Sequence, residues 1–418
     1  MKKDTGRKRK LLESDKTFEK KALFFENIGD DGRNFWFSEF DYNALFKIDK
    51  ESWKAEFIGF FPNENFVQER LYISMAMYYG KIYFAPHNAD EIAVYDIERK
   101  KFKKIPIPIP RKREFLIEES GKFFRTVSVE EKVYFIPYYY PGILCYDTKN
   151  DVFSYFDDWI NEIEEKRVNQ WGYFLEVIFV ENRLILPCAC ADAVVILDLS
   201  VQKSYILNTE KTSYLCKFCG ICYANKYFYL ISADGTIQKR KLKEEKEEIK
   251  IIKLPNLEFD EIEFYPVKSL NEYIYLFPFG QNKGIRFNMN NEQWEVIDWF
   301  SNKEKFEKKW CQFLFAFPTD GKLYAETGNS HYLVEYDFNY GNKYKKQLFP
   351  SPKDSDLIEK QAIQEFVEKI EYAAVRENTV FSLKFILYVL QKYNDYLIEN
   401  IKNKRKDNGK EIYCVLMK

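Results

Sequence analysis

Few residue groups in this 418-residue chain have the types and spacing for chemistry. Cys216-Lys-Phe-Cys219-Gly-Ile-Cys222, with Cys188-Ala-Cys190 upstream, offers thiols that could ligate a metal or exchange electrons. Zinc, however, takes four thiolate or imidazole ligands, usually from two paired motifs in tight turns. Steps of three along a strand send alternate cysteines to opposite faces, and a packed cysteine behaves as a small hydrophobe. The eight cysteines are therefore read as reduced, mainly packing thiols, with no metal and no cofactor assigned. The only two histidines, His87 and His331, have no serine–histidine–acid order, glycine-rich phosphate loop or HExxH helix around them. Paired carboxylates could hydrolyse a glycosidic bond, but no pair is singled out by spacing. Tyr138-Tyr139-Tyr140 is the remaining feature, three rings of a kind enriched where proteins meet partners.

Composition narrows what must position these groups. Lys+Arg is 64 and Asp+Glu 65, a formal net charge of −1, so no global field recruits nucleic acid. With 38 Phe, 31 Tyr and 7 Trp the chain is too aromatic for disorder and suits a large strand-built core. Glycine, at 16, is sparse. The start, Met1 to Lys10, is polar and basic with no apolar run behind it, which predicts neither a secretory signal nor export. No window of about 18 apolar residues predicts a membrane span. These readings point to the cytoplasm, with residues 1–19 as a flexible basic tail.

The positioning elements emerge from internal repetition. Lys132-Val-Tyr-Phe-Ile-Pro137 is followed by a loop, then Gly142-Ile-Leu-Cys-Tyr-Asp147, a turn, and a further strand. The same order runs through Lys81–Pro86 with Ile92–Asp96, Arg183–Pro187 with Val194–Asp198, and Tyr273–Pro278 with Gly284–Asn288. Weaker copies begin at Asn34, Tyr227 and Lys322. Aligning Glu39, Pro86, Pro137, Pro187, Ser232, Pro278 and Thr327 gives seven copies with a period of about 48 residues, the length of a β-propeller blade. An apolar strand precedes the turn, as in Leu71–Met77, Phe123–Val129 and Tyr173–Val180. The second strand is almost wholly apolar, as packing on both faces requires, and proline commonly ends it. The closing Asp or Asn of the third strand can accept a backbone N–H two residues on and set the next turn. Trp53, Phe102, Phe153, Tyr205, Trp294 and Tyr344 open the fourth. The predicted class is all-β, a seven-bladed propeller over residues 20–350 with a C-terminal helical extension over 351–418.

These repeats resemble kelch-type propellers, on Tyr95-Asp96 with Phe102, Tyr146-Asp147 with Phe153, and Phe287-Asn288 with Trp294. They lack the double glycine that kelch repeats carry after the second strand. The resemblance implies an interaction platform more often than an enzyme.

In such a ring, the loops between second and third strands share one face around the central channel. That face carries the candidate partner-binding residues His87, Asn88, Tyr138, Tyr139, Tyr140, Gln281, Asn329 and His331, with Asp41, Cys188, Asp234 and Asn282 beside them. One or two of the tyrosines could instead wedge between blades. Arg125, Glu176, Lys217 and Lys268 fall in first strands, where charge is costly unless paired or wet; they pair with one another across the channel or meet a ligand, Arg125 and Glu176 being the site candidates. In the tail, Leu357, Ala362, Ile363, Phe366, Ile370 and Ala373 make one helical stripe and Phe381 to Ile401 another. They read as a helical hairpin on the propeller or as a docking or dimerisation element, with Asp354 or Ser355 as cap. Asn408-Gly-Lys-Glu-Ile-Tyr413 resembles tails of bacterial proteins from surface-polysaccharide gene clusters. The expected function is a non-catalytic cytoplasmic platform for a protein or carbohydrate-related ligand. The alternative is an enzyme or accessory protein of surface-polysaccharide or sugar-nucleotide metabolism, using carboxylates and His87.

Overall fold

The computed structural model describes residues 22–373 apart from 67, 119, 213–215, 242–248, 255–262, 280–282, 299–312, 329–330 and 338–341. Among the described residues, 28 strands form seven four-stranded antiparallel sheets, each built from four consecutive strands. The sheets stand around one axis as a seven-bladed β-propeller. The innermost strands are Gly29–Asp30, Tyr72–Tyr78, Phe123–Val129, Ile178–Val180, Gly220–Ala224, Phe264–Leu270 and Phe315–Thr319. The second strands, such as Lys81–Pro86, Lys132–Pro137 and Tyr273–Pro278, are buried at every position after the first. Each therefore packs on both faces between neighbouring blades, which is why its run of apolar residues is unbroken.

Local chemistry repeats with the blades. The aspartate closing a third strand accepts from the backbone that follows: Asp49 Oδ1 from Ser52 N (2.8 Å), Asp96 Oδ1 from Arg99 N (2.9 Å), Asp147 Oδ1 from Asn150 N (2.9 Å) and Asp198 Oδ1 from Ser200 N (3.0 Å). The residue four places on turns left-handed in five blades, at Trp53, Lys100, Asp151, Gln202 and Glu292, without a glycine among them. Trp53 thus sits in the turn and does not open its strand, which is Ala55–Gly59. Two further readings are corrected. The first strand of blade 4 is only Ile178–Val180, with Phe174 bridged alone to Cys188, because the chain reaches it through a short helix, Ile160–Lys166, anchored by buried Trp159, Ile160 and Ile163. Of Cys216, Cys219 and Cys222, only Cys222 lies in the strand Gly220–Ala224.

Blade 7 meets blade 1 and closes the ring. Leu23 N donates to Leu348 O (2.8 Å), Phe35 packs edge-on against Tyr324 (4.8 Å between centroids), and Thr319 Oγ1 donates to Asp30 Oδ2 (2.7 Å). Lys50 Nζ bridges Asp30 (2.6 Å) and Asp320 (2.8 Å) across the same seam. Beyond it a helix, Pro352–Ala373, lies on blade 1, burying Ile358 and Ala362 with Tyr42 and Phe66. Its cap is Ser351, whose Oγ accepts Asp354 N (3.2 Å), with Pro352 in the first turn where no N–H is missed. The expected second helix, the tail motif at 408–413 and the basic tail at 1–19 fall outside the described residues.

The inner strands leave no slack. A Cβ on Gly220 would lie 2.5 Å from Cβ of Val267 in the next blade. Gly220→Ala should therefore cost about 1–3 kcal/mol by overpacking, read as a melting temperature lowered by several degrees with an unchanged far-UV circular dichroism spectrum.

Candidate functional site

The candidate residues divide by what their side chains touch. His87 is buried, with Nδ1 2.9 Å from Phe123 O. Burial first, then the charges of Arg70 and Lys122, hold its imidazole well below the usual histidine value, so it stays neutral. Asn88 joins two loops, its Nδ2 donating to Glu69 O (2.8 Å) and its Oδ1 accepting Gly121 N (3.1 Å). Tyr140 is buried, its hydroxyl donating to Pro108 O (2.6 Å) and its ring against Phe123. Tyr138 lies against Phe124 (5.2 Å) and Tyr139 (4.4 Å) and covers Gly172 so closely that a Cβ there would lie 2.2 Å from it. Tyr139 is half-buried at the rim. Asp234 ties down its own turn, accepting from Ser232 Oγ and Thr236 N, and Cys188 is fully buried. Gln281, Asn282 and Asn329 fall outside the described residues.

Of the charges expected in first strands, Arg125 and Lys268 lie in them, while Glu176 and Lys217 lie just before Ile178–Val180 and Gly220–Ala224. Glu176 Oε1 accepts Arg125 Nε (2.9 Å), Arg125 Nη2 (2.5 Å) and Lys268 Nζ (2.7 Å), joining blades 3, 4 and 6. Arg125 Nη2 also reaches the Tyr265 hydroxyl (3.4 Å). Burial pushes the Glu176 carboxyl up, but Arg125 and Lys268 together pull it below the usual glutamate value. Burial, with Arg125 beside it, lowers Lys268 against the pull of Glu176. A second pair stands near: Arg70 Nε and Nη2 bind Glu26 Oε2 and Oε1 bidentately, each at 2.9 Å. In these two clusters three cations, Arg125, Lys268 and Arg70, are met by two carboxylates, Glu176 and Glu26. Lys217 does not join them; its Nζ donates to Thr212 O (2.7 Å) and stands 3.6 Å from Asp192.

The seam side of the same face gathers carboxyl groups. Glu326 is fully buried, and among the described residues neither of its oxygens has a hydrogen-bond partner. His331 Nδ1 stands 3.7 Å from Glu326 Oε1, and the His331 ring stands edge-on to Phe24 (4.3 Å). Burial first, then Asp41, Glu26 and Glu39, drives the Glu326 carboxyl well above the usual glutamate value. Sequence reasoning passed over Glu326, Arg70, Glu26 and Tyr265. A signal for Glu326 exists, because it ends Lys-Leu-Tyr-Ala-Glu where the matching residue is the uncharged Ala85, Ile136, Pro187, Ile231 or Phe277 in five other blades.

The cysteine cluster is buried, and burial raises the thiols of Cys216, Cys219 and Cys222, which keeps them protonated. Among the described residues no three His, Cys, Asp or Glu side chains converge as metal ligands would.

Comparison with known proteins extends the fold and nothing finer. No family model matches the chain, and no curated protein matches it. Among solved structures it is similar to the computationally designed Ika8 protein, with a TM-score of 0.52 at 8% identity over 80% of this chain and 92% of that one. It is also similar to PorZ, an essential bacterial surface component of the type-IX secretion system of Porphyromonas gingivalis, with a TM-score of 0.50 at 10% identity over 78% of this chain. The chain spans 39% of PorZ.

The two carboxylates have opposite signatures in pH. Glu326, raised above its ordinary value near 4.5, favours folding below that value and loses the contribution as pH rises through its raised one. Glu326→Gln should melt a few degrees above the parent at about pH 8 and converge with it near pH 4. Glu176, lowered, favours folding above its ordinary value and loses the contribution as pH falls. Glu176→Gln, which strands Arg125 and Lys268, should cost about 3–5 kcal/mol at neutral pH. Melting curves from pH 4 to 8 read both.

Proposed function

We propose that the chain is a non-catalytic recognition platform, taking a protein or carbohydrate-related ligand on the loop face around its channel. The observation that carries this reading is the polarised mouth. Arg70, Arg125 and Lys268 with their partners Glu26 and Glu176 face the carboxyl groups of Glu39, Asp41 and the protonated Glu326, with the rings of Tyr138 and Tyr139 between loops at the rim. The polar groups of the basic side are committed to one another: Glu176 already takes three donors on one oxygen, which suits it to hold cations in place and not to act as a base. Fixed opposite charges and rigid aromatic edges favour orientation of a partner over bond-making. The kelch-like reading stays with the Tyr-Asp and aromatic spacing of blades 2, 3 and 6, and the cytoplasmic one with the free, buried state of the six described cysteines.

One observation favours the enzymatic alternative. Glu326, a carboxyl held protonated, stands beside the half-buried imidazole of His331, and perturbed pairs of this kind are a mark of acid–base sites. On this reading the substrate is a sugar or sugar nucleotide approaching the seam side of the mouth.

Tyr139 is the cleanest probe, because Tyr138 and Tyr140 are also packing elements. With the intact chain as bait, Tyr139→Ala should lower recovery of a co-purifying partner at least tenfold while shifting the melting temperature by no more than about 1–2 °C. Unchanged recovery removes the platform reading. Hydrolysis of a sugar nucleotide that disappears in Glu326→Gln establishes the alternative.

A further inference from the structure

A second concave site lies at the opposite end of the blades, where the chain ring closes. Strands alternate in direction, so the turns between strands one and two and between three and four all lie away from the loop face. There, between blades 7 and 1, a groove of about 510 Å³ is lined by Trp53, Tyr324, Tyr344 and several lysines. The volume is that of a small-ligand site.

The groove has a cause in the repeat. In blades 2, 3 and 6 an aromatic near the end of the third strand stacks on one that opens the fourth, as in Tyr95–Phe102 (4.9 Å), Tyr146–Phe153 (5.1 Å) and Phe287–Trp294 (4.8 Å). These pairs fill the seam with the preceding blade. Blade 1 has Ile48 and Ala55 in the two places, and its tryptophan has moved to the turn, where Trp53 meets Tyr324 at 6.1 Å. Two large rings are missing, and the seam stays open.

Its walls have a definite chemistry. On the blade 7 side the register Tyr324–Glu335–Tyr344 and Leu333–Lys346 places these side chains on the face toward blade 1. Lys322 Nζ is held by Glu335 (2.6 Å) and Lys50 by Asp30 and Asp320, so their charges are answered within the fold. Lys346 is exposed, has no ion-pair partner among the described residues, and lies two residues from Tyr344, whose ring is 60% exposed. Lysines on an outer strand also deter edge-to-edge pairing, and Lys343 and Lys345 on the other face serve that purpose; Lys346 faces the groove.

We propose that this groove binds a saccharide carrying an acidic group, a uronate or a sugar phosphate. Its pyranose lies on the exposed ring of Tyr344 between the walls of Trp53 and Tyr324, and its anionic group meets Lys346. Carboxylates already fixed on Lys322 and Lys50 remain available as acceptors for sugar hydroxyls. The site is independent of the channel mouth and stands whether or not a partner binds there.

Isothermal titration of the full chain with trigalacturonate and with glucose 6-phosphate tests the proposal, with maltotriose and inorganic phosphate as controls. At least one anionic sugar should bind at least tenfold more tightly than both controls and more weakly as salt is raised. The two anionic arms distinguish carboxylate from phosphate. Tyr344→Ala and Lys346→Glu should each weaken that binding at least tenfold at an unchanged melting temperature, and Lys346→Arg should retain it. Ala55→Phe, restoring a ring of the other blades, should abolish binding by filling the seam, and Tyr139→Ala should leave it untouched. Failure of both anionic sugars to bind, or binding indifferent to Tyr344→Ala and Lys346→Glu, overturns the proposal.

Discussion

Face-to-face burial of the second strands between neighbouring blades is the constraint on which everything else in this molecule depends. An isolated four-stranded sheet with two apolar faces would expose both to water, and only a ring of such sheets covers every face without an end. Phe37, Phe84, Phe135, Leu186, Leu230, Leu276 and Ala325 occupy equivalent places in that ring, each nearly or wholly removed from solvent. Burying a large apolar side chain is favourable by about 1.5–3 kcal/mol, so the repeated layer is a major force holding the blades together.

That layer leaves variation only where packing does not reach. The turns at one end are stabilised by aspartates and tolerate left-handed residues of many kinds, so they are nearly interchangeable. The loops at the other end differ in every blade, and there the charges gather. Glu176 is the pivot of the channel because it lets two cations stand inside a narrow, poorly hydrated space. A buried charge is tolerated when answered by another with good geometry, and the triad meets that condition while still leaving one cation over. Glu326 does not, and the fold compensates by holding it neutral.

The seam between blades 7 and 1 shows what happens when a copy of the repeat lacks the aromatic pair of blades 2, 3 and 6. Ring closure demands that the last blade meet the first whatever their sequences. The loss of two aromatics from blade 1 is absorbed as a groove, while Lys50 and the Asp30–Thr319 contact keep the walls together. The asymmetry concentrates aromatic and cationic side chains in a place where blades 2, 3 and 6 set a pair of rings.

Reading the chain alone was enough for the architecture, because the signals that specify a blade are short-range. The apolar second strand, its terminating proline, the Asp-capped turn and the aromatic six residues later all act within one repeat. Seven weak copies in register say together what none says alone. It was also enough to suggest that charges in the inner strands would pair. It could not say which, since Glu176 and Lys268 are 92 residues apart and Lys50 and Asp320 are 270 apart. Nor could it separate Tyr139 at the rim from Tyr140 in the core, or reveal an empty seam, because consecutive residues in a loop reach different surroundings. Those outcomes depend on which blade stands beside which, and that is decided only when the ring closes.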